Sequence, residues 1–267
     1  VNDTKRFLGL ELAGAKNQKT SVAVLEFYRR ARKLFLIDIF EKIAQEDHQT
    51  GDEALLALLG ELKNGPTPMG VNVPLELPPC LKCTRKSCPL PAHCTVPSVQ
   101  WMRELQNQQL HRLKEFTPYT QRPIELWIKS QGLPPMDETL GGNRAPLTAR
   151  MFFLKRHLQD MPLIEVWPKL SLKILASQLN IPPRIASSYR QLESGVDSRE
   201  EILQILSKKL ELFIYERDMR KLAQSLNSFD AFICALTALL AEENQCAPIP
   251  QGFPISTGWV HYPKPDL

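Results

Sequence analysis

No stretch of this 267-residue chain approaches the roughly 18 consecutive apolar residues that a membrane-spanning helix needs. The opening VNDTKRF also lacks the charged-then-apolar pattern of a secretory signal. These two absences predict a cytoplasmic protein with no membrane partner. Internal repeats and low-complexity tracts are missing too, so the 43% of residues that are hydrophobic must fill an ordinary core. That core belongs to one large domain or to one domain carrying an insertion. Ser187, Ser188 and Thr237 lack His and Asp companions in any pattern that points to nucleophilic catalysis.

A strong excess of one charge is also lacking. The net charge of +4 is mild for a nucleic-acid binder, but it is unevenly spread. Between Cys80 and Asp160 stand 12 Lys and Arg against 6 Asp and Glu, which leaves the remainder of the chain at −2. The middle is therefore the basic part. It is either an ordinary solvated surface or a footprint for phosphate.

What is present begins with RFLGLELAGAKNQKTSVAVLE, residues 6–26, which reads as a strand, a turn and a second strand. Under two-residue alternation Phe7, Gly9, Glu11 and Ala13 share one face, and Leu8, Leu10 and Leu12 share the other. Glu11 is a carboxylate in the most apolar strand of the N-terminus. It is half solvated or salt-bridged at the strand end, or else bound to a cation. LFLIDIF, residues 34–40, completes a three-stranded meander. A helix over 51–63, closed by Asn64-Gly65-Pro66, precedes a short strand in MGVNVPLELPP that ends before Pro74 and leaves Asn72 near its end.

From Pro78 to about Pro146 prolines, four cysteines and one long polar helix over 97–115 mark an insertion, residues 78–146, within an α/β domain of residues 1–77 and 147–267. A basic helix over 147–158, a strand at PLIEVW, helices over 170–179, 181–189 and 198–210, and a nearly all-apolar helix over 229–242 follow. The tail GWVHYPKP is a candidate last edge strand. The pattern predicts a five-stranded mixed sheet flanked by helices.

Three strand ends carry comparable polar groups: Glu11, Asn72 and Glu165. In open α/β sheets ligands sit outside the carboxyl ends of strands. Asp230 adds a fourth, although with Asn227 as N-cap it also fits the N3 acid of a capping box. Acids converging from several strand ends and a helix suit Mg²⁺ or Mn²⁺, which take oxygen ligands.

At these residues the sequence resembles the domain of unknown function 429 family, predicted nucleases of ribonuclease-H-like fold. GLELAG resembles the family's Gly-x-Asp-x-Ala first strand, VNVPLELP its Ile-Asp-Ala-Pro segment, IEVWP its Glu-Val-Tyr-Pro segment, and SFDAFICALTA its closing Asp-Ala helix. The resemblance implies that Glu11, Asn72, Glu165 and Asp230 line a two-metal phosphodiester-cleaving site. Two positions depart from the pattern. Glu11 stands where the family has Asp, a longer arm, and Asn72 stands where it has Asp, an oxygen donor without charge.

Cys80, Cys83, Cys88 and Cys94 form C-x2-C-x4-C-x5-C within 15 residues. In a reducing compartment this spacing favours structural Zn²⁺, with His93 able to replace the last thiolate; an iron–sulfur cluster, disulfides or free thiols are the alternatives. Lys82, Arg85 and Lys86 in this lobe, and Arg144, Arg150, Lys155 and Arg156 beyond it, are candidate nucleic-acid contacts. Trp101, Trp127 and Trp167 suit either base stacking or core.

Three functions compete at this stage. They are a metal-dependent nuclease, weakened or not by Asn72; a non-enzymatic nucleic-acid or partner-binding module; and an actin-like phosphotransferase using Gly14 to Thr20 as its phosphate turn. The last ranks lowest, because the second Asp-x-Gly turn of those enzymes is missing.

Overall fold

A computed structural model of the chain describes residues 3–14, 19–43, 49–113 and 115–265. Its strands are β1 (Thr4–Glu11), β2 (Ser21–Tyr28), β3 (Lys33–Phe40), β4 (Met69–Val71), β5 (Leu163–Glu165) and β6 (Leu212–Phe213). Its helices are α1 (Gly51–Leu62), α2 (Leu90–His93), α3 (Pro97–Gln108), α4 (Pro123–Ser130), α5 (Arg144–Lys155), α6 (Pro168–Gln178), α7 (Pro183–Ser188), α8 (Gly195–Lys209), α9 (Glu216–Gln224) and α10 (Leu226–Glu242). Among the described residues no single helix is long and apolar enough to cross a membrane. Residues 15–18, the middle of the Gly14–Thr20 turn, lie outside the described residues.

The chain divides into two compact units. One comprises the described residues of Val1–Asn72, Phe153–Ala247 and His261–Leu267, and the other Val73–Phe152 and Pro248–Val260. The first is a mixed α/β unit built on a six-stranded sheet of order β5-β4-β1-β2-β3-β6. β1, β2 and β3 form the antiparallel meander, while β4 runs parallel to β1 and β5 parallel to β4. The sixth strand, β6, departs from the five expected; it is two residues long and parallel to the outer edge of β3. So short a strand leaves no alternation to read. The tail forms isolated bridges, Val166 with His261 and Cys246 with Pro263, in place of a full edge strand.

β1 lies between β4 and β2, so both its edges are paired, and the burial of Phe7 on one face and of Leu8 and Leu10 on the other shows both faces covered. That is why its sequence is apolar on both alternating sets. The nearly all-apolar α10 packs on β1, β2 and β4. Two glycines permit the approach: a Cβ on Gly9 would stand 1.9 Å from the carbonyl oxygen of Ala231, and one on Gly70 would stand 2.1 Å from that of Cys234. Ala231, Cys234, Ala235 and Ala238 supply the small helix face opposite.

The second unit has its own small core of Met102, Leu105, Leu113 and Leu126, with Trp101, Phe116 and Trp127 packed against it. The expected helix over 97–115 stops at Gln108, because the chain turns through Gln109 and brings Leu113 back into that core. A further helix, α4, starts at Pro123, where the missing N–H costs nothing. Arg122 and Glu125 pair at its start, both buried: Arg122 Nε donates to Glu125 Oε1 at 3.0 Å, and Thr139 donates its hydroxyl to the same oxygen at 2.5 Å. Trp101 and Trp127 belong to this interior, as do Phe253 and Trp259, whose rings stack edge-on at 5.0 Å.

Candidate functional site

The local pleat decides which polar groups can meet. Leu8, Gly9 and Leu10 of β1 pair with Met69, Gly70 and Val71 of β4, and these with Leu163, Ile164 and Glu165 of β5. Gly9 and Gly70 face α10. Glu11 and Asn72, two residues further along each strand, return to the same face. Glu165 is in register with Val71 and Leu10, and the pleat sets it on the opposite face.

On the α10 side, Asn72 Nδ2 donates to Glu11 Oε2 at 2.7 Å, and the Asn72 main-chain N–H continues the parallel ladder to the Leu10 carbonyl at 3.1 Å. Glu11 is half-buried and Asn72 is buried. Asp230 comes up from α10, wholly enclosed at 1% exposure. Its Oδ2 accepts from Arg190 Nη1, whereas its Oδ1 has no hydrogen-bond partner among the described residues. Arg190 Nη1 also donates to the Tyr189 hydroxyl at 3.2 Å, and the guanidinium lies over the Tyr189 ring at 5.5 Å.

Tyr189 joins the two acids electrically. Its phenol pKa is pushed up, first by burial and then by the charge of Asp230; Arg190 opposes this and Glu11 adds to it. Asp230 is pushed up to about 6, because burial outweighs the attraction of Arg190 and Arg199. Arg190 shifts the other way in effect: burial pulls it down, but Asp230 and Tyr189 outweigh that and hold it fully charged. Burial prevails at the enclosed carboxylate and attraction at the guanidinium, whose side chain is 41% exposed and keeps part of its hydration.

The capping box expected on Asn227 is not formed. Ser225 caps α10 by accepting from the Ser228 N–H at 3.2 Å, which leaves Asp230 beyond the N3 position, while Asn227 Nδ2 donates to the Lys19 carbonyl at 2.7 Å. The helix thus begins three residues earlier than expected, at Leu226, behind the Ser225 cap.

The structure thus brings Glu11, Asn72 and Asp230 to one side of the sheet. Glu165 is set apart, buried beside His261, whose main-chain N–H donates to the Glu165 carbonyl at 2.8 Å. Burial lowers the His261 imidazole pKa, against the Glu165 carbonyl and charge. Arg190, Tyr189 and Arg199 carry no motif in the sequence; only their position beside Asp230 singles them out.

The lobe cysteines remain free thiols: Cys83 and Cys88 are exposed, Cys80 is half-buried and Cys94 is buried. The Cys80 thiol pKa is raised by burial and then by Cys94, Cys88 and Cys83, so the four share one neighbourhood. Among the described residues, however, no three His, Cys, Asp or Glu side chains converge as a ready metal cage, here or at the strand ends. Of the candidate basic contacts, Lys82 is tied to Glu76 at 2.8 Å and to the Ser256 carbonyl, and Arg85 to the Thr95 hydroxyl at 2.6 Å. Lys86 and Arg156 are exposed and Lys155 is half-buried, but Arg144 and Arg150 are buried and do not offer a free surface charge.

No curated protein and no solved structure matches the chain. The segments IEVWP and SFDAFICALTA lie inside a region, residues 144–254, that matches a family model, whereas GLELAG and VNVPLELP lie before it. Residues 144–254, which hold Glu165, Tyr189, Arg190 and Asp230, match the family described as protein of unknown function DUF429.

Proposed function

We propose that the carboxyl edge of β1 and β4, faced by Asp230 of α10, is the divalent-metal centre of a ribonuclease-H-like nuclease acting on nucleic acid. The observation that carries this is the approach of two carboxylates, Glu11 and Asp230, to one buried phenol at strand ends, with one oxygen of Asp230 unpartnered. The order β5-β4-β1-β2-β3, with an antiparallel meander and two parallel strands, supports the ribonuclease-H-like assignment, and β6 is an addition at its edge. Glu11, Asn72 and Asp230 would hold Mg²⁺ or Mn²⁺, which when bound stabilises charge on phosphoryl oxygens and acidifies water. Asn72 orients Glu11 through the amide, and Arg190 neutralises Asp230 until a cation competes for it. The lobe cysteines are proposed separately to take a structural Zn²⁺.

The second reading is a non-enzymatic nucleic-acid-binding module of the same fold. It is favoured by those same contacts, since each acid already has a nitrogen donor. Asn72→Asp distinguishes the two. It should raise Mn²⁺ affinity and divalent-dependent cleavage of single-stranded, double-stranded or branched substrates, and Asp230→Ala added to it should abolish the gain. No gain on any substrate, with metal affinity unchanged, would leave the binding module in its place.

A further inference from the structure

One strand over from Glu11, across its register partner Ser21, a cavity of about 540 Å³ opens between the end of β2 and the start of α10. Four cationic residues line it, Lys19, Lys42, Arg190 and Arg199, against a single carboxylate, Glu41. Glu41 is itself engaged, accepting the Ser228 hydroxyl at 2.6 Å.

One of the cations lacks an ion-pair partner and another has guanidinium donors to spare. Arg199 is 5% exposed; its Nε, Nη1 and Nη2 donate to the main-chain carbonyls of Ala223, Tyr189 and Gln224, the last at 3.5 Å, and no carboxylate pairs with it among the described residues. Burial pulls its pKa down, against the attraction of Asp230. Arg190 uses Nη1 for Asp230 and Tyr189, and its Nε and Nη2 have no partner among the described residues. The first turn of α10 adds to this. Its cap, Ser225, satisfies the Ser228 N–H, while the N–H groups of Leu226 and Asn227 lack acceptors among the described residues.

Cations from separate elements, a buried guanidinium without an ion-pair partner and an open helix end call for an anion. The volume is that of a small-molecule site and exceeds what one phosphate fills, so the anion carries an organic group. Leu192, 97% exposed, gives the lining an apolar patch for it.

We infer that this cavity binds the phosphate of an organic phosphate ester, through Lys19, Lys42, Arg190, Arg199 and the first turn of α10. The ester is either a terminal phosphomonoester or a backbone phosphodiester. Binding needs neither metal nor hydrolysis at the neighbouring carboxylates, so it stands or falls apart from the nuclease assignment.

The test is titration calorimetry in EDTA with inorganic phosphate, a 5′-phosphorylated oligonucleotide and the same oligonucleotide bearing a 5′-hydroxyl, on the full chain and on Lys19→Glu/Lys42→Glu. Both lysines are exposed, so the double variant should fold, which a thermal melt checks. The expected result is an affinity loss of about tenfold or more in the double variant, with inorganic phosphate competing. A preference for the 5′-phosphate assigns a monoester, and equal affinity for both oligonucleotides assigns the backbone. No binding of any of the three probes, or equal binding by wild type and double variant, would overturn the site.

Discussion

At the scale of single residues, Asp230 carries the sharpest consequence. Its pKa in the fold, about 6, lies above its ordinary value of 3.8, so the folded state holds the proton more tightly than the unfolded chain. The contribution is fully present below the unfolded pKa and is lost as pH rises through about 6. Above that, the fold carries a buried charge at a cost. Asp230→Asn should therefore stabilise the protein by about 1 to 3 kcal/mol at about pH 8 and by little near pH 4, with urea denaturation at both as the check. Arg190, left without its carboxylate, is exposed enough for water to replace it. Glu11 was legible as an anomaly because a carboxylate in an apolar strand stands out in any alternation. Arg190 was not, since an arginine after a helix looks the same whether it faces solvent or a buried acid 40 residues away. The glycines were half legible: GLELAG showed that one was there, but not why. A Cβ at Gly9 or Gly70 would overlap helix backbone, which cannot rotate aside as a side chain can. Gly9→Ala and Gly70→Ala should each cost about 3 kcal/mol or more, whereas Gly60→Ala, with open space around it, should not destabilise. Comparable losses at all three positions in chemical denaturation would contradict the close helix approach.

Among elements, the long periodic ones were readable and the ones set by tertiary packing were not. β1, β2, β3, α1 and α10 announce themselves by apolar patterning and stop signals. β6 and α4 do not, and the start of α7 was misplaced because Pro182-Pro183 bars helical geometry at the residue before each proline. The cysteine lobe is the element with least to hold it. Every residue from Leu81 to Leu90 is exposed, Leu90 sits at φ 63, and besides the Lys82 and Arg85 ties the lobe is anchored by Arg103, whose Nη1 donates to the carbonyls of Pro91, Ala92 and Cys94 at 2.8 to 3.1 Å. A loop without a core gains its order from ligation where four thiols lie close together. Elemental analysis of freshly purified, reduced protein should find one zinc, and chelation should speed amide exchange over 80–94 while leaving β1 to β3 protected. Protein free of metal with the lobe equally protected would assign its order to the Arg103, Lys82 and Arg85 contacts, and a brown colour would indicate iron.

For the molecule as a whole, charge is arranged by burial as much as by sequence. The surplus of cations between Cys80 and Asp160 is real, but Arg144 and Arg150 are enclosed, and Lys82 and Arg85 are committed to partners within the chain. A basic count cannot separate a charge that releases a counterion from one that holds a fold together, because both read as Arg. The consequence differs for the two groups. Lys86 and Arg156 are exposed, so replacing either by alanine should lower the log–log salt slope of nucleic-acid binding by about 1, with little change in melting temperature. Arg144→Ala and Arg150→Ala remove buried guanidinium groups, and each should lower the melting temperature while leaving the salt slope unchanged. Fluorescence anisotropy across a salt series, set beside thermal melts of the four single variants, separates these outcomes. A slope that falls with Arg144 or Arg150 at unaltered stability would return both to the binding surface. A slope unmoved by Lys86 and Arg156 would take phosphate recognition away from the basic middle and leave it to the cationic cavity beside α10.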